Sequence, residues 1–308
     1  MIDRLVAVDW SGDKSKSGQK RKIWAGIWTQ GGSVALENGR TREELATRLT
    51  NLAKETPRMV VGIDFCFSYP AWFLRELRMG TVAEFWDFVA NVHGERWLSA
   101  ACDEARFWGR RGPLRDGKTP PEFCGENRTL MFRRADAACK IKGRILCQKN
   151  AEKVKGIAPK SPFQIGGAGA VGTGTLRGIP MLRDLRREGF SVWPFDVPML
   201  PLVVEIYPRL LTGEVKKSRA DGRTTYLSER IAVDDRYGRL NDDVLAKALS
   251  SEDAFDALVS VMVMAEHRLD FLSLQQAEDE TERLEGAVWG AGLEKEEANS
   301  SAMLRNDK

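Results

Sequence analysis

Four acids lie in sequence contexts where a carboxylate is costly. Asp9 closes the apolar run LVAVD (Leu5–Asp9), Asp64 ends the run MVVGID within Met59–Phe65, and Glu205 is embedded in LVVEIY (Leu202–Tyr207). An ionised carboxylate in a hydrophobic strand is strongly disfavoured unless it is paired or bound to metal. Asp256 follows in Ser251–Asp270, where Ala254, Leu258, Val261 and Ala265 recur at helical spacing. Asp253 lies three residues earlier on the same face, in the first turns, where the helix dipole favours negative charge. If the three strands are neighbours in one sheet, their carboxylates crowd together. Mg²⁺ or Mn²⁺, which prefer hard oxygen ligands, would relieve the repulsion. The expected catalytic carboxylates are Asp9, Asp64, Glu205 and Asp256, and the expected metal ligands are Asp9, Asp64, Asp253 and Asp256. Other roles stay open: Asp9 and Asp64 as turn caps, Asp253 as a helix-start acid, and Glu205 as the partner of Arg209 or of a basic residue from the middle of the chain.

The rest of the composition narrows the chemistry. With two histidines in 308 residues, His93 and His267, a histidine-rich metal site or a Ser-His-Asp triad is disfavoured. Five cysteines, an odd number without a C-x-x-C pair, fit reduced thiols. The N-terminus has no apolar segment followed by a small-residue cleavage site, and no apolar run reaches membrane-spanning length, so a cytoplasmic protein without membrane association is expected.

The elements that must position the acids follow from the hydrophobic pattern. Leu5–Asp9, Ile23–Gln30, Ser33–Glu37 and Met59–Phe65 read as strands, with Gly31-Gly32 as a hairpin turn and Asp13–Arg21 as a polar turn. Thr41 and Glu44 form a capping box that opens a helix over Arg42–Glu55. Tyr69–Leu77 and Val82–Val92 read as helices and Gly109–Glu126 as loop, within a long insertion (71–165) that interrupts a core made of 1–70 and 166–272. Leu176–Glu188 resumes a helical pattern, Ser191–Phe195 and Leu202–Tyr207 are strand candidates, Arg219–Asn241 is a polar connection, and an acidic extension occupies 273–308.

Net charge is only +3, but Ala101–Lys160 carries 15 Lys/Arg against 7 Asp/Glu. Such an excess suits a polyanion, and Arg106, Arg110, Arg111, Arg133 and Arg134 are the expected contacts. The glycine-rich stretch Ser161–Pro180 is a second candidate for phosphate, through Gly167, Gly169, Thr173 and Arg177 with Ser11 of the first turn. It lacks the Lys-Ser/Thr ending of a P-loop, and a close-packed structural turn is an equal reading.

The order of acids, on a first strand, a fourth strand and a last helix, resembles the ribonuclease-H-like superfamily. More narrowly, VAVDWSG, VVGIDFCFSYP, SPFQIGGAGAVGTGTLRGIP, VVEIYPRL, SEDAFDALVS and EGAVWG resemble a group of predicted nucleases, the domain-of-unknown-function family numbered 429. The resemblance implies an α/β fold with a five-stranded mixed sheet flanked by helices, its first three strands antiparallel. It also implies hydrolysis of phosphodiester bonds in nucleic acid by a carboxylate-held pair of metal ions. Asp9, Asp64 and Asp256 match the superfamily acids, and Glu205 an extra strand acid of the narrower group. Two alternatives remain: a nucleotide-binding protein of the actin and sugar-kinase type, for which a second copy of the core is missing, and a non-catalytic nucleic-acid-binding module.

Overall fold

The computed structural model describes residues 1–109, 127–139, 159–213 and 215–290. Within them lies a mixed six-stranded sheet flanked by helices, in the order β3-β2-β1-β4-β6-β5. The strands are β1 (Arg4–Asp9), β2 (Trp24–Thr29), β3 (Val34–Glu37), β4 (Met59–Ile63), β5 (Ser191–Val192) and β6 (Leu202–Glu205). β1, β2 and β3 pair antiparallel, while β1–β4, β4–β6 and β5–β6 are parallel. The sheet therefore has six strands where five were expected. The extra one is the two-residue β5 at the edge, all that pairs of the candidate Ser191–Phe195.

Both faces of the sheet are covered, which explains the unbroken apolar runs of β1 and β4. Val6, Val8, Val61 and Ile63 point to one face, where the Arg42–Glu55 and Val171–Arg187 helices pack. Leu5, Ala7, Val60 and Val204 point to the other, under the Glu252–Glu266 helix. The Arg42–Glu55 helix opens with the expected capping box, Thr41 accepting from Glu44 N–H and Glu44 reaching back to Thr41 N–H. Ser251 caps the Glu252–Glu266 helix by accepting from Ala254 N–H.

Several connections differ from the sequence expectation. Lys16–Lys22 is a helix capped by Ser15, where a turn was expected. The polar connection Arg219–Asn241 contains the Ala220–Val233 and Asp235–Gly238 helices. The Val171–Arg187 helix starts five residues before Leu176, inside the glycine-rich stretch. Burial of Thr173, Thr175 and Leu176 there outweighs the poor helix propensity of glycine. Phe73, Phe85, Phe107 and Phe163, from the expected insertion, are fully buried in the same core as β1 and β4.

The described part of the expected acidic extension is only partly solvated: Glu278, Asp279 and Glu280 are exposed, whereas Leu284, Glu285, Val288 and Trp289 are buried. Val288 bridges Glu205 at the open side of β6, Trp289 N–H donates to the Glu205 carbonyl at 2.9 Å, and the fully buried Trp289 ring stacks on Phe271. Among the described residues no helix is long and apolar enough to cross a membrane.

Candidate functional site

Register brings the first two acids together. Val8 of β1 lies opposite Ile63 of β4 in a parallel pair, so Asp9 and Asp64 emerge side by side at the same end of the sheet. Asp64 N–H still donates to the Val8 carbonyl, at 3.1 Å, holding the two chains together one step past the paired residues. Side chains alternate along a strand, so Asp9 shares the face of Leu5 and Ala7, and Asp64 that of Val60. This is the face covered by the Glu252–Glu266 helix, whose buried Asp256 comes down beside them. Asp253, half-buried one turn earlier, stands at the rim.

The three aspartates perturb one another strongly. Burial, then the charges of Asp256, Asp64 and Asp253, hold the Asp9 carboxyl well above the usual carboxylate range, against the pull of Lys217. Burial and Asp256 push Asp64 up to about 7. Burial raises Asp256 to about 6 even though the Lys217 ammonium favours its charged form. Burial and Glu252 raise Asp253 as well. Lys217 Nζ donates to Asp256 Oδ2 and lies 3.7 Å from Glu252 Oε1. Asp256 Oδ1 is buried with no hydrogen-bond partner, and among the described residues no group donates to the carboxylates of Asp9 or Asp64.

Glu205 does not join this set. It lies opposite Ile63, one position out of step with Asp64, so its side chain projects to the other face of the sheet. There it meets Arg133, which donates from Nη1 to Oε2 at 2.8 Å and from Nη2 to Oε1 at 2.6 Å. Phe67 N–H adds a third donor to Oε2 at 2.8 Å. Asp136 takes the remaining edge of the same guanidinium and also accepts from Arg133 N–H at 2.9 Å. The ligand atoms of Cys66, Asp136 and Glu205 lie within 4.8 Å of one another, but the Arg133 guanidinium already supplies the cation there. Of the alternatives open in the sequence, Glu205 thus follows pairing with a basic residue from the middle of the chain.

A cleft of about 530 Å³ opens at this end of the sheet. Asp64, Ser11, Gly167, Gly169 and Thr173 line it together, as does Lys160. Gly167 and Gly169 adopt positive φ, the left-handed backbone that favours glycine. The other members of the expected phosphate set are committed elsewhere. Thr173 Oγ1 donates to the Ile165 carbonyl at 2.9 Å, and the amides of Val171, Gly172 and Thr173 donate to Gly169, Gln164 and Ala170. Arg177 is buried, donating from Nη1 to the Gly12 carbonyl at 2.5 Å and from Nε to Glu95 at 2.7 Å.

The expected basic face also divides. Arg133 is fully buried, so it is a structural cation and not a surface contact. Arg106 lies 4.8 Å over the Phe73 ring and pairs with Glu104 and Glu76. Arg134 is exposed, 3.2 Å from Asp279. Arg110 and Arg111 lie outside the described residues.

One residue of consequence escaped sequence reasoning, and another was expected in a different role. Lys217 sits in a polar segment 39 positions before the aspartate it contacts, and Arg133, expected as a polyanion contact, lies 72 positions before the Glu205 it pairs with. Neither separation has a local periodicity to betray it. The only available hint was that buried acids require some cation. Fold and site together define an α/β protein with a cluster of buried and half-buried aspartates at one end of a mixed sheet. No family model, no curated protein and no solved structure matches the chain.

Proposed function

We propose that the protein is a metal-dependent nuclease of the ribonuclease-H-like kind, hydrolysing phosphodiester bonds of nucleic acid at the Asp9–Asp64–Asp256 cluster. The observation that carries this reading is the convergence of acids from the first strand, the fourth strand and the last long helix on one face of the sheet, with Asp256 Oδ1 buried and lacking a donor. A β3-β2-β1-β4 order with β2 antiparallel to both β1 and β3 supports it.

The donor set fits a divalent cation. It offers only hard oxygens, it carries more negative charge than Lys217 offsets, and one of its buried oxygens is an orphan. Asp9, Asp64 and Asp256 would hold Mg²⁺ or Mn²⁺, with Asp253 at the rim. When bound, such an ion makes water a better nucleophile at neutral pH and offsets charge on phosphate oxygens. The chain itself supplies the rest. β1 and β4 fix Asp9 and Asp64 in register, and the Glu252–Glu266 helix sets Asp256 above them. The adjoining cleft, with Ser11, Gly167, Gly169 and Lys160 on its walls, has room for a sugar-phosphate segment. A nucleotide-binding role centred on the glycine-rich turn draws less support, because Thr173 and Arg177, the side chains it would use, are already engaged within the fold.

Wild type and Asp9→Asn, assayed on single-stranded, duplex and branched nucleic acid with and without Mn²⁺, test the proposal. Wild type should cleave at least one substrate only with metal. Asp9→Asn should fold, lose cleavage and lose most of the thermal stabilisation by Mn²⁺. Activity and metal response retained in Asp9→Asn would rule out the assignment, since asparagine caps a turn about as well as aspartate.

A further inference from the structure

The connection from β1 to β2 rises from the end of the sheet that carries the aspartates. It leaves at Asp9 and returns at Trp24, and these two residues pair in the antiparallel register. Between them lies the Lys16–Lys22 helix, in a stretch that holds Lys14, Lys16, Lys20, Arg21 and Lys22, all exposed. Asp13 and Lys22 also line the cleft beside Asp64.

This connection is anchored from beneath. Arg42 Nη1 donates to the carbonyls of Ser11 and Asp13, at 3.1 and 2.9 Å, and Arg177 Nη1 donates to that of Gly12 at 2.5 Å. The buried Gln19 accepts from Arg42 N–H at 3.2 Å and donates to the Lys14 carbonyl at 3.3 Å. A Cβ on Gly18 would collide with the Asp13 carboxyl group, so glycine there lets the helix settle on the turn. Gly18 and Gln19 thus face the protein, while Lys16, Lys20 and Arg21 face solvent.

The neighbouring acids do not cancel this charge. Lys20 pairs with Glu44 at 3.1 Å and Lys22 with Asp13 at 2.8 Å. Glu95 lies in the field of Lys14 but pairs with the buried Arg177 at 2.7 Å, and Glu43 is shared between Arg42 and Lys16. With Arg42 and Arg177 included, seven bases meet four acids, or five once Asp253, which lies in the field of Lys22, is added. Among the described residues no acid lies within ion-pair distance of Lys14, Lys16 or Arg21. The arginines expected to meet a polyanion are less free: Arg133 is buried, and Arg106 and Arg134 hold acids.

We infer that the exposed face of the Lys16–Lys22 helix, together with Lys14, seats the phosphate backbone of nucleic acid and leads it to the cleft beside Asp64. The inference rests on the nuclease reading above and moves the polyanion face from the middle of the chain to its first connection. Ammonium and guanidinium groups on such a face meet phosphates as charges and read no bases, so the contact is to the backbone of any sequence.

A fluorescein-labelled DNA hairpin with a single-stranded tail, followed by anisotropy across a salt series in EDTA so that nothing is cleaved, tests this. Lys16→Ala/Arg21→Ala should weaken binding at least about tenfold and flatten the slope of log affinity against log salt by about two. Lys16→Arg/Arg21→Lys, which keeps both charges, should bind within about twofold of wild type. Lys54→Ala/Arg58→Ala removes the same charge from exposed positions at the other end of the sheet and should also stay within about twofold. Alanine is a good helix former at exposed positions, so thermal melts should show the fold intact. An equal loss in Lys54→Ala/Arg58→Ala, no loss in Lys16→Ala/Arg21→Ala, or no binding by wild type overturns the inference. Mn²⁺-dependent cleavage by wild type is read separately: its absence removes the nuclease reading, whereas cleavage by wild type with unchanged affinity in Lys16→Ala/Arg21→Ala removes only the surface.

Discussion

Two buried charge clusters lie at the same end of this sheet, on opposite faces, and they are built on opposite principles. On one face Glu205, Asp136 and Arg133 are closed upon themselves. The guanidinium makes four bonds to the two carboxylates, from 2.6 to 3.3 Å, and backbone N–H groups of Phe67 and Arg133 complete the set. On the other face Asp9, Asp64 and Asp256 share a single lysine, and Asp256 Oδ1 is unpartnered. A buried acid is therefore not in itself a sign of function. The first cluster is a lock: it joins β6 to the chain after β4, through Phe67, and to the C-terminal segment, through the bond from Arg133 Nη1 to the Glu285 carbonyl at 3.2 Å. The second leaves negative charge in excess, a cost that a purely structural role does not require.

The contrast is sharpest under substitution of Glu205. Glu205→Gln leaves Arg133 with Asp136 as its one carboxylate partner and removes the charge from two of its hydrogen bonds, a loss that should cost about 3 kcal/mol in urea unfolding, with or without Mn²⁺. A cost below about 1 kcal/mol would show that the lock is not structural.

The aspartate face should instead govern the pH dependence. Asp64 and Asp256 bind protons up to about 7 and about 6 in the folded chain, whereas in the unfolded chain they release them near the ordinary aspartate value of about 3.9. The folded state then holds the extra protons, so metal-free stability falls as pH rises from about 4 to about 7. Asp256 alone, raised by roughly two units, contributes about 3 kcal/mol to that fall. Chemical denaturation across this range, with and without Mn²⁺, should show the decline without metal and a reduced decline with it. A metal-free stability that rises through the same range would remove the crowding from consideration.

Asp9→Asn relieves repulsion among the acids and should raise metal-free stability by about 1 kcal/mol, the reverse of Glu205→Gln. Destabilisation by Asp9→Asn in metal-free thermal melts would place Asp9 with the structural cluster. The smallest effect is expected at Arg134, next in sequence to the buried arginine but exposed and paired with Asp279. Arg134→Ala should change stability by less than about 0.5 kcal/mol. A larger loss would extend the lock to the surface.

Much of this arrangement was legible in the sequence. The apolar runs ending at Asp9 and Asp64 are β1 and β4, the Thr41–Glu44 box opens the Arg42–Glu55 helix, and Ser251 caps the helix that carries Asp256. These features depend on residues a few positions apart, and their physics is local. The helices at Lys16–Lys22 and Ala220–Val233 were missed because polar, glycine-bearing stretches give no periodic apolar signal.

Glu205 marks the boundary between the two kinds of information. Its strand and its burial followed from the sequence, and alternation fixes which residues of β6 share its face. Alternation within one strand says nothing about register against the next. Pairing Glu205 with Ile63, and not with Asp64, sends it to the opposite face, and a shift of one residue would have sent it toward the aspartates. That register is set by the packing of the whole sheet between its two helical layers. The same packing brings Arg133 and Lys217 from distant segments to the acids they meet, and so decides which acid cluster is closed by hydrogen bonds and which keeps an unpartnered oxygen.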